Sequence, residues 1–120
     1  MPDTRSDIRI SVSMDDEGVT GIRWEADDAP EPGEQTAKAM LLALWDADAR
    51  NALRIDLWTK DMTVEDMNDF YFQTLLTLAD TYARSTQERD LAADIKLFAR
   101  EFADKASMRE QRRQQGVGPQ

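Results

Sequence analysis

Hydrophobic and polar positions change their period several times along this chain. Ile8, Ile10, Val12 and Met14 alternate with Asp7, Arg9, Ser11 and Ser13, the period of two of a half-buried strand. Asp15, Asp16, Glu17 and Gly18 read as a turn, with Gly18 able to take a positive φ. A second strand over 19–26 puts Ile22 and Trp24 on one face and Arg23 and Glu25 on the other, so the pair predicts a hairpin. Residues 27–33, DDAPEPG, stop the strand with two prolines and a glycine. The period then lengthens. Ala37, Met40, Leu41, Leu44 and Trp45 predict a helix from Glu34 to Asp48, with Arg50 and Asn51 as a short link.

Alternation returns at Leu53, Ile55 and Leu57, set against Arg54, Asp56 and Trp58. This third strand runs into a helix start. Thr63 reads as the N-cap, Asp66 as a short-armed capping-box acid, and Met62 with Met67 as a hydrophobic staple. The helix runs to about Arg84. Met67, Phe70, Tyr71, Leu75, Leu78 and Tyr82 form one stripe; Phe72, Leu76, Ala79 and Ala83 form another. A helix so broadly apolar needs two partners, the sheet and either a further helix or another subunit. Ser85 with Glu88 predicts the cap of a last helix, whose single stripe is Leu91, Ile95, Phe98 and Phe102.

The expected order is therefore β-β-α-β-α-α, an α+β fold. Chain direction predicts a three-stranded antiparallel sheet in order 2-1-3, with helices packed on one face. Residues 1–106 form the expected single domain, and 107–120 a flexible charged tail.

Composition narrows the chemistry. The 120 residues carry a net charge of −9, with no histidine and no cysteine. The commonest general base and metal ligand are missing, and so is thiol chemistry. Residues 1–80 hold 18 acids and 7 bases, and residues 81–120 hold 6 acids and 8 bases. A polyanion is repelled by most of such a surface, so nucleic acid is not an expected partner. No apolar run reaches the roughly 20 residues of a membrane span, and no secretory leader precedes the first strand, so the expected address is cytoplasmic. An acidic, Asp-rich and Lys-poor surface also suits high salt, a reading that requires stability to rise with salt.

The candidate chemistry lies on the open face of the expected sheet. Arg9, Arg23 and Arg54 lie there with Asp56 and Trp58, beside Asp7, Ser11 and Glu25. Such a face is either a solubilising charge ladder or a recognition surface of arginine forks and an exposed indole. Acids are dense around the first hairpin, but the spacing of a calcium loop is absent. Asp46 and Asp48 sit at the unfavourable end of the expected helix dipole. Arg109, Arg112 and Arg113 make a thin basic signal in the expected tail. Phosphate loops, nucleophile elbows and zinc spacings are missing. No cofactor or metal, and no enzymatic activity, is expected.

Three motifs in order, RWEADDAP at 23–30, ALWD at 43–46 and LRIDLWTKDM at 53–62, followed by Met67, Phe70 and Tyr71, resemble the gliding motility-associated protein GldC family. The resemblance covers residues 7 to 105. It implies a small bacterial protein of the Bacteroidetes lineage and its relatives, without a signal peptide, linked to gliding motility as an accessory factor. It brings no catalytic residue or cofactor. Two functional readings follow. One is a non-catalytic accessory protein acting through a protein partner or as a homodimer. The other is a small-ligand or divalent-metal domain with a carboxylate-lined site framed by Trp24 or Trp45.

Overall fold

The structure, a computed structural model, describes residues 3–116. The elements are β1 (Ile8–Asp15), β2 (Gly18–Ala26), β3 (Gln35–Ala37), β4 (Ala39–Asp46), β5 (Asn51–Trp58), α1 (Val64–Thr86) and α2 (Arg89–Gly116). They gather into two compact units that divide between Met62 and Thr63. The first holds all the strands and the second both helices.

The first hairpin forms where the alternation placed it. The Asp15 carboxylate accepts the backbone N–H groups of Glu17 (2.8 Å) and Gly18 (3.2 Å), and Gly18 takes a φ of 143°. β1 and β2 pair antiparallel, with Ile10 opposite Trp24 and Val12 opposite Ile22. The apolar positions therefore share one face, and a bulge between Ser13 and Met14 shifts the register near the turn. Ile22, 2% exposed, is the buried anchor of this sheet.

The helix expected over Glu34–Asp48 is not present. The segment forms β3, a break at Lys38, and β4, so the element order is five strands followed by two helices. Residues 39–45, AMLLALW, are apolar without interruption. Such a run satisfies a helical spacing and a strand equally well, and its seven-residue length favours the strand. The turn decides it. Asp46 Oδ1 accepts the N–H groups of Asp48 (3.0 Å) and Ala49 (3.2 Å), Arg50 donates its N–H to the Asp46 carbonyl (2.8 Å), and Arg50 adopts a φ of 55°. Asp46, a misfit at a helix end, is a turn former, and Asp48 lies within the turn it holds.

The 2-1-3 order falls with that helix. β2 is the middle strand of a three-stranded sheet, β1-β2-β3, while β5 pairs with β4 in a two-stranded ribbon. All these pairings are antiparallel, as expected, but β5 does not lie beside β1. Once 39–46 offers β5 an adjacent antiparallel strand, a short hairpin closes at less entropic cost than a long-range pairing.

In the helical unit the Thr63 capping box is complete. Thr63 Oγ1 accepts the Asp66 N–H (3.0 Å) and Asp66 Oδ2 accepts the Thr63 N–H (3.2 Å). α1 ends at Thr86, with Gln87 in the left-handed region at φ 65° donating its N–H to the Ala83 carbonyl (2.9 Å). Ser85 does not cap the last helix; its hydroxyl donates to the Tyr82 carbonyl, and Thr86 Oγ1 accepts the Glu88 N–H instead. α1 and α2 form a hairpin closed over the buried Ala79, Ala92 and Ala99. Asn68 bonds Glu110 (2.9 Å), and Lys96 pairs with Asp80 (2.7 Å). α2 continues to Gly116, beyond the point at 107 where a flexible tail was expected. Its Arg, Glu and Gln residues are good helix formers even without an apolar stripe. Residues 117–120 of that expected tail lie outside the described residues.

Candidate interaction surface

The five singled-out residues fall on two sheets. Arg9 and Arg23 lie on the polar face of β1-β2-β3, where Arg9 is opposite Glu25 and Arg23 is opposite Ser11. Arg54, Asp56 and Trp58 lie on β5 in the ribbon. The expected row of three arginines on one sheet is therefore absent, because it required β5 to pair with β1.

Arg9 is held in a cage of acids. It pairs with Asp27 (3.3 Å), Glu25 (3.5 Å) and Asp7 (3.9 Å). The hydrogen bond that Arg9 donates to Asp27, with Glu25 nearby, raises the Arg9 pKa further. Asp27 is pulled below the usual carboxylate range, first by the Asp7 N–H it accepts and then by Arg9. Arg23 donates to Ser13 Oγ (3.2 Å) and pairs with Glu34 at 3.8 Å. Both arginines are thus engaged by neighbouring side chains of the same unit.

The ribbon is different. On one face the register groups Met40, Leu42 and Leu44 with Leu57, Ile55 and Leu53. Leu44, Leu53 and Ile55 are all about half exposed. On the other face Trp45 (63% exposed) lies opposite Ala52, and Trp58 (52% exposed) lies opposite Ala39. Between the two indoles lie Leu41, Ala43 and the Arg54–Asp56 ion pair (2.9 Å). The Arg50 guanidinium sits over the Trp45 ring, 5.9 Å from its centroid. Trp45 was expected in a helix stripe, and as a frame for a carboxylate-lined site in the second reading, but was not read as a member of this surface. An apolar run ending in DADARN just before LRIDLW was the available hairpin signal.

A second missed feature is the clasp after β5. Thr59 is 4% exposed and forms a parallel bridge with Val19. Its N–H donates to the Lys38 carbonyl (2.8 Å), while Lys60 N–H donates to the Val19 carbonyl (2.9 Å). The clasp thus ties the ribbon to β2. Thr59 Oγ1 donates to Asp61 (2.6 Å), and Lys38 also pairs with Asp61. Lys38 and then Thr59 lower the Asp61 pKa to about 2. Lys60 reaches back to Asp15 (2.6 Å) and Glu17 (3.2 Å). The hydrogen bond it donates, and then the Glu17 N–H, hold Asp15 low, and the bonds to Asp15 and then Glu17 raise the pKa of Lys60. A shallow groove of about 290 Å³ runs along Gly18, Val19, Asp56, Leu57, Trp58 and Lys60. Two acids of the first turn are thereby committed to a lysine. Among the described residues no group of three or more Asp or Glu is placed to hold a metal ion. Nor is any described helix long and apolar enough to cross a membrane.

The geometry defines a small α+β protein, with a clasped strand unit that displays apolar and aromatic side chains and a helical hairpin. The family model described as gliding motility-associated protein GldC-like matches residues 20–108, from β2 into α2, and the chain belongs to that family. Neither a curated protein nor a solved structure matches it.

Proposed function

We propose that this member of the gliding motility-related family is a non-catalytic accessory protein that works in the cytoplasm by holding a protein partner against the β4–β5 ribbon. The observation that carries the reading is the pair of exposed tryptophans flanking the Arg54–Asp56 pair on regular, hydrogen-bonded strands. Exposed indoles and arginines on a rigid strand lose little conformational entropy on binding, which is why they recur at interface hot spots. Among the described residues β5 is laddered to β4 alone, so its outer edge offers backbone groups that a partner strand could join. Residues 3–62 hold 14 acids and 7 bases, so a complementary partner is basic around an apolar centre.

The test is in-cell crosslinking of the wild type beside Trp58→Ala, Arg54→Ala and Trp45→Ala, each checked for an unchanged thermal midpoint. The expected result is one defined crosslinked protein, lost in the tryptophan variants and weakened in Arg54→Ala. Crosslinks indifferent to all three substitutions would overturn the reading. So would a rise in melting temperature with a divalent cation that Asp56→Asn abolishes, since binding to the folded state is what raises the midpoint.

A further inference from the structure

The helical hairpin keeps one apolar stripe uncovered. Val64, Tyr71 and Leu78 recur at intervals of seven along α1, and Leu91 and Phe98 do the same on α2; all five are exposed. The two sets meet on one side of the hairpin, because Val64 of α1 lines one groove of about 350 Å³ with Phe98, Phe102 and Lys105 of α2, and the interval of seven carries each set along its own helix. The Asp80–Lys96 and Asn68–Glu110 contacts set a register that brings Leu78 near Phe98. A strict seven-residue interval is the spacing of a helix–helix seam, and the partner it calls for is another pair of helices.

Charge says which pair. Along this face the chain begins acidic, with Glu88 just before α2 and Asp90 and Asp94 within it, and ends basic, with Lys105, Arg109 and Arg112, while Glu101 lies between. Among the described residues those three bases make no ion pair within the chain. A two-fold axis across the hairpin would set the acidic start of one α2 against the basic end of another. The stripe is thus self-complementary in both apolar pattern and charge.

We infer that the exposed stripe Val64–Tyr71–Leu78 and Leu91–Phe98 seats a second copy of this chain, the two hairpins closing into an antiparallel four-helix bundle with α2 against α2. This goes beyond the proposed partner reading and stands or falls without it, since the ribbon residues take no part.

The test is the mass of the full chain in solution by sedimentation. The expected mass is that of two chains at micromolar concentration and low salt. Arg109→Glu with Arg112→Glu, and separately Glu88→Lys with Asp94→Lys, are each expected to raise the dissociation constant tenfold or more. Mixing the two variants restores a heterodimer. The chain has no cysteine, so Glu101→Cys, near the inferred axis, is expected to form an inter-chain disulfide on mild oxidation. Arg100→Cys, on the opposite side of α2, is not. A wild-type monomer would overturn the inference. Charge-reversed variants that stay dimeric alone, a mixture that fails to associate while far-ultraviolet circular dichroism shows intact helices, or equal disulfide formation at both positions would overturn it too.

Discussion

Thr59, Lys60 and Asp61 share the work of the clasp, each through a different kind of bond. The threonine is buried, bridges to Val19 and bonds the Lys38 carbonyl through its backbone, and donates its hydroxyl to Asp61. The lysine and aspartate lie at the surface and reach in opposite directions, to Asp15 and to Lys38. Asp61 is the residue whose charge can be followed. Its pKa in the fold is about 2 against an ordinary 3.8, so the folded state binds this proton less tightly than the unfolded chain. The stability it contributes is present above 3.8 and is lost as pH falls toward about 2. Carbon-detected titration of the Asp61 carboxyl should place its midpoint near 2 in the wild type and move it up toward 3.8 in Lys38→Met. A midpoint that ignores Lys38→Met would remove the lysine as the main cause.

At the scale of elements, caps and turns separate what could be read in the chain from what could not. The α1 start was legible because Thr63 and Asp66 act on neighbours in sequence, and both halves of the box form. Thr63→Ala should lower the unfolding free energy of the helical unit by about 1 kcal/mol, measured by urea denaturation followed through circular dichroism. The β1–β2 hairpin was legible for the same reason, since its alternation and its Asp15 turn are both local. β4 was not. Its apolar run suits either period, and the choice depended on β5, which also fixes where Trp45 points. Arg54, Asp56 and Trp58 do share one face of β5, as the alternation required, but Leu53 and Ile55 on the other face are as exposed as Trp58, and the company of Arg9 and Arg23 was wrong because sheet order is set by long-range pairing. Asp46→Ala separates the two accounts of this segment. A helix would gain from losing an acid at its C-terminal end and acquiring alanine. The observed turn loses the acceptor of two backbone N–H groups, and stability should fall by about 1 kcal/mol, read from denaturant midpoints.

For the whole molecule, charge and spectroscopic probes divide along the same boundary. Residues 3–62 carry a net −7, from 14 acids and 7 bases, and residues 63–116 carry −2, from 10 acids and 8 bases. Trp24, Trp45 and Trp58 are all in the strand unit, while all the regular helix is in the other. Tryptophan fluorescence therefore follows the strands, and far-ultraviolet circular dichroism mainly follows the helices. Self-repulsion weakens the compact strand unit, and salt screens it within about 10 Å at 0.1 M. The helical unit has little net charge to screen, and the inferred bundle is held partly by opposite charges that salt weakens. Raising salt from low to molar should therefore lift the thermal midpoint seen by fluorescence by several degrees. The midpoint seen by circular dichroism should stay still or fall at low protein concentration. Equal shifts at both probes would mean that the two units unfold as one and that charge does not divide between them. A fluorescence midpoint indifferent to salt would instead show that the ion pairs of Arg9, Lys38 and Lys60 already offset the repulsion of the surrounding acids.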